Sequence, residues 1–301
     1  MKFSRHTFCI YDCSTGEGVT LNKTPFKIGG GEGCDLKFDD SDLPEEYCVF
    51  YRKAKKTFLV PANGVGELIL SGKKPELPNG NLLLDELLGA KCHWTERSEL
   101  PVELSKLPEQ LRAQGRKPYA IGIGGSNGVG AAGYVLAMIE LMEQLRATQQ
   151  HVDHIVFASS SGGTQAGMTL GARLAEFKGQ LHGVSIDKDD LDRGAYDEEV
   201  AQIANDCAQY IGSDLRLAKQ DISVIYGYTG GGYGVVSNLE REAIQLMAQS
   251  EGIILDPVYT GRAFGALVDL IRKGEFKRGE AVLFWHTGGA PALFAYAKQL
   301  A

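Results

Sequence analysis

From Asp153 to Phe177 the chain reads DHIVFASSSGGTQAGMTLGARLAEF, and no other stretch limits the fold so tightly. HIVFA has the length and apolarity of a buried strand, and MTLGARLAEF reads as a helix. The serines, glycines and threonine between them form a turn. A strand that passes through such a turn into a helix is half of a parallel βαβ unit. Backbone N–H groups of a small-residue turn, aimed along a helix N-terminus, make a cup for an anion, and Ser or Thr hydroxyls add donors. The bland alternative is a turn that joins two elements and holds nothing.

The same alternation continues through residues 80–301. NLLLDELLGA, LSKLPEQLRAQG, VGAAGYVLAMIELMEQLRATQQ, EEVAQIANDCAQYIG, SNLEREAIQLMAQSEG and GRAFGALVDLIRKG read as helices. KCHWTE is extended, and PYAIGIGG, QLHGVSID, DISVIYG and AVLFW read as strands. This order predicts an α/β body in which helices flank a parallel sheet and ligands bind at the carboxyl ends of the strands. Residues 1–78 differ in character. Short β segments such as HTFCIYD, TPFKIGG, CVFYR, KTFLVPA and GELILSG are broken by STGEG, GGGEG, PANG and PNG, the pattern of a small all-β sandwich. The expected division is 1–78 and 79–301.

Composition narrows the function classes. The 301 residues are 44% hydrophobic and 23% charged, with a formal net charge of −7, which suits a soluble chain with room for a sizeable core. Mild acidity without a Lys/Arg stripe argues against nucleic acid. No apolar run approaches a bilayer-spanning length and MKFSRHTF lacks a signal-peptide core, so a cytoplasmic location is expected. The six cysteines (9, 13, 34, 48, 92 and 207) form no CxxC pair and read as reduced structural thiols. His151 and His154 in HVDH have no third ligand nearby and read as part of a solvated loop rather than a metal site.

Several segments of 79–301 together resemble one family: NGNLLLDELLGA, GRKPYAIGIGGSN, SSSGGTQAGM, GGGYGV, SNLEREAI, EGIILDPVYTGRA and HTGGAPALFAY. They are similar to the pyridoxal-phosphate enzymes that include D-cysteine desulfhydrase and aminocyclopropane-carboxylate deaminase, with a tryptophan-synthase-β-like fold. The resemblance covers about three-quarters of the chain and lacks the family's first third. It implies that Ser161, Gly162, Gly163 and Thr164 hold the cofactor's phosphate and that Thr287 faces its pyridine nitrogen. Thr287 also reads as an N-cap for the helix expected over APALFAYAKQL. The resemblance further implies active-site roles for Tyr233 and Tyr259, where a tyrosine donates to a substrate carboxylate or shuttles a proton. Deaminase members carry a glutamate at the position of Thr260. The threonine resembles the desulfhydrase side, which implies a small β-substituted D-amino acid such as D-cysteine as substrate. The GGSN stretch at Gly124–Asn127 either lines the same crevice or is a tight loop into the next helix.

One part of the pattern is missing. The family holds its cofactor on a lysine within GGNK, and a later SNH segment flanks the ring; neither string occurs here. Lys23, preceded by Asn22, and Lys27 lie in the closest string, LNKTPFK, where a solvated turn lysine is the ordinary reading. Residues 1–78 weakly resemble a forkhead-associated module, but Gly29–Gly30 and Pro44 stand where its phosphate-gripping arginine and serine belong, and Tyr47 replaces a structural histidine. Two readings of the whole chain follow. One is a pyridoxal-phosphate lyase acting on a small amino acid, as a dimer if it follows the family. The other is an inactive fusion in which a β module for a protein partner sits on a degenerate cofactor- or phosphate-binding body.

Overall fold

The computed structural model describes residues 67–189 and 193–300 throughout and, ahead of them, the backbone of six strands between Cys9 and Pro61. These residues fall into two compact units. One takes in the described chain up to Lys73 together with Asp85–Glu96; the other takes in Lys74–Leu84 and the chain from Arg97 onward.

In the first unit β1 (Cys9–Tyr11) pairs antiparallel with β2 (Gly18–Thr20). The strands β3 (Phe26–Gly29), β4 (Leu36–Lys37), β5 (Cys48–Lys53) and β6 (Lys56–Pro61) form a sheet in the order β4-β3-β5-β6. Lys23, Gly30, Pro44 and Tyr47 lie outside the described residues. Next, β7 (Glu67–Ser71) pairs in parallel with β8 (Lys91–Thr95), and α1 (Gly80–Leu87) lies between them in sequence. The Glu67 carboxylate, 2.8 Å from the His93 ring nitrogen, joins the first residue of one strand to the middle of the other.

The second unit carries the alternating pattern. Its elements are α2 (Leu100–Ala113), α3 (Gly128–Thr148), β9 (His154–Ser159), α4 (Gly163–Leu174), β10 (Gln180–Ser185), α5 (Arg193–Tyr210), β11 (Val224–Ile225), α6 (Asn238–Glu251), α7 (Thr260–Lys273), β12 (Val282–Phe284) and α8 (Ala297–Leu300). The sheet order is β11-β10-β9-β12, and every pair is parallel. Parallel strands need crossovers, and the crossover helices cover both faces. Period-2 alternation in β9 shows this. Ile155 and Phe157 pack with Met138 and Met168 of α3 and α4, while Val156 and Ala158 pack with Ala263, Ala266 and Leu267 of α7. Each such aliphatic or aromatic side chain taken out of water contributes about 1.5–3 kcal/mol.

Close approach of α3 and α4 depends on a glycine. A Cβ on Gly167 would stand 2.1 Å from the Ala131 carbonyl oxygen, which is backbone and cannot turn aside. Asn127 starts α3 by accepting the Gly130 N–H at 2.8 Å.

Three expectations are corrected. PYAIGIGG forms no strand: residues 118–122 are irregular and Ile123–Gly125 is a short 3₁₀ turn. Tyr119, Ile121 and Ile123 are all exposed, and the apolar alternation has no strand to pair with among the described residues. The segment APALFAYAKQL is a 3₁₀ helix over Ala290–Tyr296 running into α8, and its N-cap is Gly289 rather than Thr287. His154 lies in β9, not in a loop. Its Nδ1 sits 3.1 Å from Nε2 of His182 and its Nε2 sits 3.2 Å from a Glu280 oxygen. Among the described residues no three His, Cys, Asp or Glu side chains are grouped to hold a metal, and no helix is long and apolar enough to cross a membrane.

Candidate active site

Because β9 to β12 are parallel, their carboxyl ends share one edge of the sheet, and the turns that follow them decide what that edge can bind. After β9 comes the Ser160–Gly162 turn. Gly162 has φ +85°, a conformation that side chains rarely adopt, and its absent Cβ would lie 3.0 Å from Val200 of α5. With glycine as N-cap, α4 opens without a side-chain cap. The Gly163 N–H donates to Ser126 Oγ at 3.0 Å, and that hydroxyl donates to Ser161 Oγ at 2.7 Å. Thr164 is half-buried in the same helical turn. Ser126 belongs to the GGSN stretch, which here stands against the Ser161–Gly163 turn through Ser126 and opens α3 through Asn127.

The floor beneath this cup is a closed set of hydrogen bonds. Ser159 Oγ donates to Gln165 Oε1 at 2.6 Å, and the Gln165 amide donates to the Ser223 carbonyl at 2.8 Å. With the Ser159 proton committed, the Tyr196 hydroxyl at 2.7 Å is the donor to Ser159. Burial pushes the Tyr196 phenol well above its usual range, which keeps that proton in place.

Beyond the cup the edge carries tyrosines. The hydroxyls of Tyr233 and Tyr259 hydrogen-bond each other, with the rings edge to face at 5.8 Å. Burial, then the Tyr233 hydrogen bond, then the Asp187 charge push the Tyr259 phenol far above its usual range. Asp256, almost wholly buried, fixes the turn by accepting the N–H groups of Val258 (2.9 Å), Tyr259 (2.7 Å) and Thr260 (2.7 Å). It also accepts the Thr260 hydroxyl at 2.6 Å. Thr260 is 1% exposed, so its hydroxyl is committed to the start of α7.

Arg262 holds the loop that carries Tyr233. Fully buried, it donates to the carbonyls of Gly232 (3.1 Å), Val235 (2.7 Å) and Ile186 (2.8 Å), and to Glu240 at 2.6 Å. Burial alone would raise the Glu240 pKa. The Ser237 and Arg262 hydrogen bonds outweigh it and hold the carboxyl below its usual range.

Thr287 is exposed, three residues past the end of β12. A Cβ on Gly289 would lie 2.8 Å from Asp256 Cβ, so the HTGG turn rests against the turn carrying Tyr259. The structure therefore brings Tyr233, Tyr259 and the Thr287 turn to the edge on which the Ser161–Thr164 cup stands. Sequence reasoning missed Arg262, Tyr196 and Asp187. It could have found Glu240, because S-N-L-E at Ser237–Glu240 is a capping box.

The family described as pyridoxal-phosphate dependent enzymes matches residues 64–288. The chain belongs to that family. Pyridoxal phosphate is accordingly the cofactor of this pyridoxal-phosphate enzyme. A D-cysteine desulfhydrase of Klebsiella pneumoniae (strain 342) is 38% identical over 232 residues, 76% of this chain and 68% of that protein. A solved structure of an ACC deaminase homologue is 36% identical, with a TM-score of 0.66 over 77% of this chain and 68% of its own. An O-ureido-L-serine synthase shares the fold at 13% identity and a TM-score of 0.52.

The residues present fit the cofactor's anionic end. A phosphate dianion needs fixed donors at a positive helix terminus, and the uncapped first turn of α4 with Ser126 and Ser161 beside it supplies them. A second observation lies along the same edge. Asp187 Oδ1, in the turn after β10, is buried with no hydrogen-bond partner among the described residues, and a buried acceptor of that kind is costly unless a donor arrives.

Proposed function

We propose that this enzyme catalyses β-elimination from a small D-amino acid, with D-cysteine as the candidate, releasing hydrogen sulfide, pyruvate and ammonia. The observation that carries this reading is the uncapped Ser/Gly cup standing on one sheet edge with a hydrogen-bonded tyrosine pair. The 38% identical desulfhydrase supports the choice of substrate. Pyridoxal phosphate, when bound, supplies the electron sink that makes the substrate's Cα proton removable.

The chain's own residues then have separable tasks. The Thr164 N–H and the Ser161 hydroxyl hold the phosphate, joined by the Gly163 N–H once it exchanges Ser126 Oγ for a phosphate oxygen, with Gly162 keeping the backbone close. Thr287 offers a neutral hydroxyl to the pyridine nitrogen, without the strong pull of a carboxylate. Tyr259, whose phenol is held protonated by burial, donates a hydrogen bond to the departing sulfur and keeps its proton, and Tyr233 orients it through their shared hydrogen bond. Sequence identity extending over 76% of the chain favours this reading over an inactive fusion. Residues 1–78 are proposed as a separate module offered to a protein partner, and the enzyme body as half of a homodimer.

Absorbance titration of the purified chain with pyridoxal phosphate, followed by D-cysteine, tests the proposal. A new visible band that D-cysteine bleaches, with sulfide released in step, is the expected outcome. Binding with no sulfide from D-cysteine defeats the substrate assignment.

A further inference from the structure

Pyridoxal phosphate is an aldehyde, and an enzyme that keeps it for catalysis does so through a lysine amine. Of the described lysines that flank strands of the parallel sheet, Lys178, Lys219 and Lys277 precede β10, β11 and β12 and stand at the amino edge. Lys188 alone follows a strand, three residues beyond the end of β10, at the carboxyl edge where the cup stands.

Its surroundings are built rather than loose. Ser185 Oγ accepts the Lys188 N–H at 3.1 Å and donates to the Lys188 carbonyl at 2.7 Å, so the backbone of this turn is pinned to the last, fully buried residue of the strand. The Lys188 ammonium lies 3.7 Å from Asp187 Oδ2 and 5.9 Å from the centre of the Tyr196 ring. Tyr196 in turn donates to Ser159, the residue that leads into the cup. Tyr196 and its hydrogen bond thus connect the Lys188 ammonium to the strand end from which the cup begins. Asp187 also bears electrostatically on both Tyr196 and Tyr259. The other oxygen of Asp187 is the buried acceptor that has no partner among the described residues.

We propose that Lys188 is the amine that captures the cofactor's aldehyde. This rests on the pyridoxal-phosphate reading and adds the residue on which the cofactor is held. The Lys188 ammonium gives one proton to solvent, and the freed nitrogen lone pair attacks the aldehyde carbon. The aldehyde oxygen leaves as water with the two remaining amine protons, which leaves a carbon–nitrogen double bond and changes no oxidation state. When that nitrogen is protonated, its charge remains beside Asp187 as the ammonium's was, so the carboxylate keeps a cationic partner throughout.

The test uses the full chain incubated with pyridoxal phosphate, reduced with borohydride, digested and mapped by mass spectrometry, with cofactor binding followed in parallel by equilibrium dialysis. The expected result is one pyridoxyl group per chain, on the peptide containing Lys188, displaced by excess inorganic phosphate. Lys188→Arg, which keeps the charge beside Asp187, is expected to lose that label at least tenfold while still binding pyridoxal phosphate through the cup. A label mapped to Lys23 or any other lysine overturns the assignment and leaves the cofactor site standing, as does binding without any label. Absence of both binding and label overturns the assignment and the cofactor reading together.

Discussion

Arg262 is the largest fully buried side chain in the described structure, and it stands where an exposed helical arginine is the usual expectation. Its charge is matched by Glu240 and its remaining donors by three carbonyls from distant segments. Replacing it with methionine strands the Glu240 carboxylate in the core, and the expected loss is about 3–5 kcal/mol in urea unfolding. The same change at Arg272, whose partner Glu242 is equally exposed, is expected to leave the unfolding midpoint unmoved. Conservative chemistry at the edge gives a different signature. Tyr259→Phe keeps the ring and removes only the hydroxyl, so kcat for D-cysteine should fall about 100-fold with cofactor binding retained; an unchanged kcat removes Tyr259 from the chemistry. These residues also show the limit of reading by pattern. Tyr233 and Tyr259 were visible because glycines and a DP turn frame them. Arg262 was not, since its role comes from carbonyls that only the folded chain assembles. Lys188 was missed for the same reason: a lysine after a strand has no periodicity to betray it.

At the scale of elements, the strand–turn–helix of β9 and α4 was legible because apolar run, small-residue turn and helical spacing agreed with each other. PYAIGIGG was misread because alternation alone does not supply a partner strand, and the exposed Ile121 and Ile123 show what an unpaired run looks like. The α3–α4 contact yields a direct test. Gly167→Ala places a methyl 2.1 Å from the Ala131 carbonyl, and forcing the helices apart should cost about 1–3 kcal/mol by chemical denaturation. The amino ends of β9 and β10 predict a pH response. Burial, aided by His154, lowers the His182 pKa from 6.5 to about 4, so between those values the unfolded chain binds a proton that the folded chain refuses. Stability is therefore complete above pH 6.5 and declines as the pH falls toward 4. The groups facing His182 are His154, which also contacts Glu280, and Phe276. Urea midpoints across that range should slope for the parent chain and flatten in His182→Leu.

For the molecule as a whole, cofactor binding and folding are one equilibrium. Pyridoxal phosphate at a hundred times its dissociation constant should stabilise the chain by about 2.7 kcal/mol, seen as a rise in melting temperature. Removing the cofactor by dialysis should reverse the rise, and a melting curve indifferent to the cofactor means the folded state does not select it. The compact units divide elsewhere than near residue 78, the first reaching Lys73 and taking in Asp85–Glu96 as well, but the change there from short turn-broken β segments to helix-length periodicity had a visible origin in composition. The pairing of β7 with β8 had none, because a parallel register is set by a crossover and leaves no mark on either strand. The Thr260 hydroxyl, by which the desulfhydrase side of the resemblance is told from the deaminase side, is spent on Asp256 inside the protein. A glutamate arriving there by a single codon change would face a buried carboxylate of its own sign. In this chain the residue that marks the branch is therefore also a fastening of the α7 start, so a change made there for specificity is felt by the scaffold too.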